Sequence, residues 1–405
     1  MRKSDSKSIW FIFITLLIDI TGWGLIIPVM PDLIANIIGG NISDASWYGG
    51  WLGFAYAFAQ FLFAPLLGSL SDKYGRRPVL LLSLLGFAAN YVFLYYAHTI
   101  ALLFIGRIIS GITGASITTA SAYIADISTD ENRSQNFGMI GAAFGLGFIL
   151  GPILGGLLGH YGERVPFMAA AILCFLNFLY GYFVLPESLD KQHRKSFELK
   201  KANPVGSLMF LKSIPAAGKL IIALLLVFIA QHAVNSTWNF FTMEKFGWDT
   251  KMVGISLGAI GLFLGLVQGG LIRITKKKLG DEKSVYWGML FYAIGLFLIA
   301  FTSNQWLVFL FLVPYCLGGI AGPSLQSIIT SQVALNEQGK LQGALTSLMS
   351  ATAMIGPPIM TGLFHFFTKK NAPVYFPGAA FLLGAFIMLV SSVIAYYALH
   401  HKTKR

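Results

Sequence analysis

Apolar runs long enough to cross a bilayer, about 20 residues each, recur from one end of the chain to the other, separated by short polar gaps. The pattern predicts spanning helices near residues 8–34, 47–70, 78–97, 100–124, 137–159, 165–184, 219–243, 253–274, 284–302, 305–333, 342–367 and 374–399. No gap between them is long enough for a separate soluble domain. The first run, from Ser8 to Ile34, exceeds the core of a signal peptide and has no small-residue cleavage site, so it reads as a retained helix. The longest polar stretch follows the sixth span. It divides the chain into expected bundles at 1–185 and 219–405, joined by a cytoplasmic linker at 186–218. The expected fold class is therefore all-α integral membrane, with twelve transmembrane helices in two pseudo-symmetric six-helix bundles.

The halves echo each other in sequence as well as in length. Gly111-Ile-Thr-Gly114-Ala-Ser116 has a counterpart in Gly319-Ile-Ala-Gly322-Pro-Ser324, and Gly151-Pro152 in Gly356-Pro357. Two related six-helix halves place a binding site near the midplane between them.

Composition agrees with the pattern. Of 405 residues, 56% are hydrophobic and 11% charged, against about 25% charged in soluble proteins. A net charge of +12 suits a nucleic-acid partner, but its placement argues against one. Lys and Arg sit almost entirely in the gaps between apolar runs, where they orient helices in the membrane. One set of gaps holds Arg2, Lys3, Lys7, Lys73, Arg76, Arg77, Arg133, the linker lysines and arginine, Lys219, Arg273, Lys276, Lys277, Lys278, Lys283, Lys340, Lys402, Lys404 and Arg405. The alternate set holds Arg164, Lys245, Lys251, Lys369 and Lys370. The asymmetry predicts that both termini are cytoplasmic. The two cysteines, Cys174 and Cys316, lie inside apolar runs and indicate neither a disulfide framework nor a metal site.

Charge inside a bilayer is costly, so each buried charge is a candidate for function. Asp19 lies mid-way along the first span between Ile18 and Ile20, and no other acid sits so deep. Desolvation disfavours the charged form of a carboxyl, which lets such a group load and release a proton near neutral pH. The other reading of Asp19 is a structural carboxylate held by a neighbouring donor. Arg107, in the fourth span, either biases that proton site, or simply caps carbonyls or snorkels outward. The loop Gly68-Ser-Leu-Ser-Asp72-Lys-Tyr-Gly75-Arg76-Arg77-Pro78 has two glycines suited to a tight turn and a proline suited to a helix start. Arg76 or Arg77 can pair with Asp72 or with Asp126 and latch one conformation at the cytoplasmic gate, or simply hold the loop inside.

Uncharged polar residues within spans are candidates for lining a substrate cavity: Gln60, Asn90, Thr113, Ser116, Gln231, Asn235, Asn239, Gln268 and Gln326, with Trp23, Tyr56, Trp238 and Phe241 as aromatic walls. Gly147, Gly151, Gly155 and Gly156, with Pro152, line the fifth span at four-residue spacing, which suits close helix packing and bending. His232 is the only histidine well inside a span, which argues against a metal carrier. No phosphate-binding loop, zinc-protease motif or nucleophile elbow occurs. Neither an ATP-driven pump nor an enzyme is indicated, and no cofactor is expected.

These motifs resemble those of the major facilitator superfamily, and within it the twelve-helix drug–proton antiporters. The loop Gly68 to Pro78 resembles the superfamily's signature loop, Ile105-Gly-Arg107-Ile-Ile-Ser-Gly111 its fourth-helix motif, and Gly147 to Gly156 the antiporter motif of the fifth helix. Asp19-Ile-Thr-Gly-Trp-Gly-Leu-Ile-Ile-Pro28-Val-Met-Pro31, Ala122-Tyr-Ile-Ala-Asp126-Ile and Leu185-Pro-Glu-Ser188 are similar to the tetracycline efflux branch. The resemblance implies the two-bundle fold of that superfamily, Asp19 as the first-helix acid, and Asp72, Arg76 and Asp126 as a cytoplasmic charge cluster. Where tetracycline carriers have acids in the third and ninth helices and a histidine in the eighth, this chain has Asn90, Tyr292 and Leu264.

The expected function is proton-coupled secondary transport, exporting amphipathic organic compounds by alternating access. The alternatives are a proton symporter importing a nutrient or metabolite, and a membrane sensor without transport. The expected partners are a small-molecule substrate, protons and membrane lipid, without nucleic acid. The resemblance implies a multi-pass protein of the bacterial inner membrane, acting as a monomer.

Overall fold

The computed structural model describes residues 6–114, 116–128, 133–194, 217–333 and 337–400, with a few single positions between 206 and 214. Most of the expected linker at 186–218, and both extreme termini, lie outside the described residues. Among the described residues all regular structure is helical. The long helices are α1 (Ser6–Ile26), α2 (Met30–Ile38), α3 (Ile42–Tyr74), α4 (Arg76–Tyr95), α5 (Ile100–Gly114), α6 (Ser116–Ile127), α7 (Arg133–Gly159) and α8 (Val165–Val184). They continue as α9 (Gly218–Phe246), α10 (Thr250–Leu266), α11 (Ile272–Phe301), α12 (Leu307–Leu317), α13 (Ala321–Thr330), α14 (Gln338–Thr368) and α15 (Ala379–His400).

Length decides how these helices map onto membrane crossings. Ten runs are long and apolar enough to span, and α1 with α2, bent by 43°, make an eleventh. One of the ten, Thr250–Phe301, has 52 residues. At about 1.5 Å per residue it would be more than twice as long as the hydrocarbon core, about 30 Å. Gly280 breaks it, with φ 73° and ψ 174°. The run is therefore two spans, and the total among the described residues is the twelve expected. A π-helical stretch, Val267–Leu271, joins α10 to α11, and a 3-10 turn, Gly318–Ile320, joins α12 to α13.

One expected boundary shifts. The loop read at 68–78 is almost entirely helical, because α3 runs on to Tyr74 and α4 starts at Arg76. Gly68 is an ordinary helical residue with open space beside it. The turn is made by Gly75 alone, at φ 107°, a conformation that residues with a Cβ rarely adopt.

The helices form two compact units. One comprises Met1–Gly39, Ala55–Asn203 and Asp249–Gly258; the other comprises Gly40–Phe54, Pro204–Trp248 and Ala259–Arg405. In the first unit, α1 lies against a glycine face of α7. A Cβ on Gly151 would come within 2.7 Å of the Gly24 Cα and 2.8 Å of the Thr21 carbonyl oxygen, and one on Gly147 within 2.7 Å of Ile20. Gly155 meets the backbone of Leu25 in the same way. On its other side α7 meets the start of α10, where Gly156 approaches Gly254. Phe11, Ile12, Leu16 and Ile20 of α1 pack with Leu80, Ala120, Tyr123, Ile124 and Ala143 to form the core of this unit.

In the second unit, Trp238 and Phe241 of α9 pack on Phe381 of α15, and Ser391 donates to the Ala223 carbonyl at 2.8 Å. The first part of α3 packs here on α14: Ser43 Oγ is 2.6 Å from Thr368 Oγ1, and Gly50 leaves no room for a side chain against Thr361 and the Pro357 carbonyl. Large apolar residues such as Leu82, Phe183, Leu310 and Phe386 are exposed on the helix exteriors. In a bilayer such a surface meets lipid, and the helical ladder satisfies the backbone internally.

Candidate functional site

α1 carries Asp19 into the interior of the first unit. The carboxyl oxygen Oδ1 is buried without a hydrogen-bond partner. One helical turn on, on the same face, Gly22 leaves room for Cys174 of α8 and Tyr91 of α4, which lie 3.7 and 3.9 Å from where its Cβ would be. Asn177, one turn beyond Cys174 on α8, has a wholly buried side chain. It donates from Nδ2 to the Thr15 carbonyl at 3.1 Å.

Arg107 of α5 sits over the ring of Tyr56 on α3, with its Cζ 4.7 Å from the ring centroid. A guanidinium so placed is attracted to the ring's electron-rich face. Gln60, one turn after Tyr56, donates to the Tyr56 hydroxyl and to the Gly114 carbonyl, both at 3.3 Å. Asn90 of α4 donates to Ser110 of α5 at 2.7 Å, and the pair is buried. Thr113 bonds back to the Ile109 and Ser110 carbonyls of its own helix. The first unit thus gathers Asp19, Asn177, Tyr56, Gln60, Tyr91, Asn90 and Arg107 in its membrane-spanning part.

The charge cluster lies at the Gly75 end of the same unit. Arg76 is buried, at 8% exposure. Its Nη1 meets Asp72 Oδ1 at 2.5 Å and Ser71 Oγ at 2.6 Å, and its Nε donates to Asp126 Oδ2 at 3.1 Å. Ser188 donates to the same Asp126 oxygen at 3.0 Å. Arg77 does not join these carboxylates: it donates to the Tyr182 carbonyl at 2.7 Å. Glu187 accepts the first two backbone N–H groups of α4, Arg76 at 2.8 Å and Arg77 at 3.3 Å. An acid at a helix N-terminus satisfies donors that have no partner within the helix and complements the helix dipole. A Cβ on Gly75 would collide with that carboxylate.

The remaining candidates lie in the second unit. Asn235 of α9 is exposed and Gln268 is exposed on the π-helical stretch. Trp238 is buried in the aromatic core. Gln326 of α13 donates to Gln342 of α14 at 2.9 Å. Tyr292 donates its hydroxyl to Tyr315 at 3.2 Å, a buried neutral pair. Leu264 packs on Gly319, and His232 of α9 lies against Gly356 of α14. Among the described residues no three His, Cys, Asp or Glu side chains converge as a metal site would require.

Glu187 and Asn177 are polar contributors that the sequence does not single out. Glu187 stands within the Leu185–Ser188 motif, whose chemistry is invisible until α8 folds back onto the start of α4. Asn177 is a single amide in an apolar run, which is itself the signal: an amide deep in a span needs a partner.

Among the described residues, twelve helical spans, close small-residue crossings and one mid-span acid define a polytopic helical membrane protein. The chain belongs to the Major Facilitator Superfamily, whose sequence profile matches residues 12–280 and 273–405. It is 38% identical over 376 residues to the tetracycline resistance protein, class C, of Escherichia coli, covering 93% of each chain. It is 29% identical to multidrug resistance protein 2 of Bacillus subtilis, covering 96% of this chain and 95% of that one. Its fold is that of the human organic anion transporter MFSD10 (TETRAN) in the crystal, with a TM-score of 0.72 at 24% identity over 96% of this chain and 99% of that one.

Proposed function

We propose that the chain is a proton-coupled secondary active transporter that exports amphipathic organic compounds by alternating access. The observation that carries the reading is Asp19, the one carboxylate held mid-span among the described residues, with a buried oxygen that has no donor. Binding a proton removes the charge and gives that oxygen a hydrogen to share. The resistance activities named for the bacterial relatives support export of drug-like molecules. The neutral pairs Asn90–Ser110 and Tyr292–Tyr315 favour substrates bound by hydrogen bonds and aromatic contact over those bound through a chelated cation.

In this reading the bundles at 1–185 and 219–405 rock about a central site, with 186–218 as the linker. Arg76, Asp72 and Asp126 form the latch at the cytoplasmic end, and both termini face the cytoplasm of a bacterial cell, a reading that the uneven placement of basic residues supports. Each chain holds both bundles and its own Asp19, so a monomer suffices.

The reading is tested in everted vesicles energised by a pH gradient, with tetracycline and ethidium as probes. The wild type accumulates at least one of them against its gradient. Asp19→Asn retains counterflow, which needs binding and exchange only, and loses proton-driven accumulation. Undiminished uphill accumulation by Asp19→Asn overturns the proposal.

A further inference from the structure

Asn177 has three hydrogen-bonding functions, two N–H groups and one carbonyl oxygen, and its surroundings account for them unevenly. One N–H is held by the Thr15 carbonyl at 3.1 Å. That carbonyl lies one helical turn before Asp19, so the bond fixes the amide beside the acid rather than elsewhere on α1. A Cβ on Gly22, one turn after Asp19, would lie 3.7 Å from the sulfur of Cys174, one turn before Asn177, so the acid and the amide share the same α1–α8 contact. The Oδ1 of Asn177 and the Oδ1 of Asp19 are each buried without a donor. Both of these oxygens are acceptors, so between them they lack one hydrogen, and an unmet buried acceptor costs about 1–3 kcal/mol.

A proton on Asp19 supplies that hydrogen. When Asp19 is charged, the second N–H of Asn177 donates to the carboxylate. When Asp19 is protonated, its O–H donates to the Asn177 carbonyl oxygen. The amide serves both states while remaining tied to Thr15, which neither an acid nor an apolar residue at position 177 can do.

We infer that Asn177 is the positioning residue for the Asp19 carboxyl, holding it in both its charged and its protonated form. The inference rests on the reading of Asp19 as the proton site. The other ionisable groups that face Asp19 are Cys174 on α8, Tyr91 on α4 and Tyr56 on α3, while Arg107 on α5 lies over the Tyr56 ring. From α6 come Tyr123, whose hydroxyl donates to the Pro186 carbonyl, and Asp126, which is held by Arg76. α7 carries no ionisable residue from Ser134 to Gly159. None of these supplies the missing donor.

The test reads Asp19 directly, without transport. Purified protein in lipid is titrated while infrared spectroscopy follows the C=O stretch of protonated carboxyls, and the Asp19 band is assigned by its loss in Asp19→Asn. In Asn177→Leu the band moves toward that of an unbonded carboxyl and the proton affinity of Asp19 changes by about tenfold, the worth of one hydrogen bond to a charged group. If Asn177→Leu does not fold, Asn177→Thr is read in its place with the same expectation.

Should the band and the titration midpoint match the wild type in a folded Asn177 variant, while only thermal stability falls, Asn177 is merely a clamp between α1 and α8 and the inference is overturned. Uphill accumulation by Asp19→Asn would sink the transport reading separately, because the infrared titration requires no flux.

Discussion

At the scale of single residues, Arg76 shows how much one side chain can organise. Its guanidinium reaches Ser71, Asp72 and Asp126 at once, while its backbone N–H is held by Glu187. A planar fork with several fixed donors can do this, and a lysine ammonium on a flexible stem cannot. Asp72 is 39% exposed in its side chain, so its share of the energy is screened by solvent, whereas Asp126 at 22% is better protected. Arg76→Lys is expected to cost about 1–2 kcal/mol of stability and to slow probe transport by about tenfold. Thermal unfolding in detergent and initial rates in vesicles check the two halves of this expectation, and wild-type values in both refute it.

Asp19 is legible in the sequence because a charge among isoleucines stands out against its neighbours. Its partner is not. Asn177 is 162 residues away, and Glu187 is 111 residues from the N–H it caps. Those pairings exist only once α8 has packed against α1 and α4, and no local pattern records that packing. The choice between Arg76 and Arg77 is of the same kind. Both are basic and adjacent, and only the direction in which α4 starts decides which one faces Asp72 and Asp126.

At the scale of elements, the glycine spacing on α7 carries its meaning in the sequence. Four-residue spacing on a helix makes a smooth face, and α1 occupies it at Gly147, Gly151 and Gly155. The contrast with Gly68 is instructive. A glycine permits a turn but does not impose one, so the turn falls at Gly75, where Glu187 and the positive φ both exclude a side chain.

The α1–α7 crossing yields a prediction with its own control. At Gly151 even a methyl group would lie 2.7 Å from the Gly24 Cα and 2.8 Å from the Thr21 carbonyl, both backbone atoms that cannot swing away. At Gly145, on the same helix, nothing lies within 4 Å. Gly151→Ala is expected to force α1 outward, costing about 1–3 kcal/mol and most of the transport, because α1 carries Asp19. Gly145→Ala leaves both unchanged. Equal behaviour of the two variants in thermal unfolding and in vesicle transport would show that the crossing is not tight.

At the scale of the whole molecule, two helices change unit along their length. α3 belongs to the second unit as far as Phe54 and to the first from Ala55, and α10 belongs to the first as far as Gly258 and to the second thereafter. Alternating access by rocking bundles requires such shared helices to exchange neighbours in each cycle, since packed interfaces switch between discrete arrangements rather than stretch. The first part of α3 is therefore a place where the cycle can be stopped. Ser43 Oγ lies 2.6 Å from Thr368 Oγ1, and the Ser43 carbonyl is bonded to His365 Nδ1 at 2.9 Å. Cysteines at positions 43 and 368 would bring their sulfurs near the bonding distance of about 2.05 Å, while the native Cys174 and Cys316 stay buried elsewhere. The oxidised Ser43→Cys/Thr368→Cys protein should lose uphill transport of a probe that the wild type carries, and a reductant should restore it. Each single-cysteine variant should be indifferent to oxidant. If the doubly substituted protein transports normally with its disulfide verified by mass, the contact between α3 and α14 persists throughout the cycle, and the moving boundary must lie elsewhere.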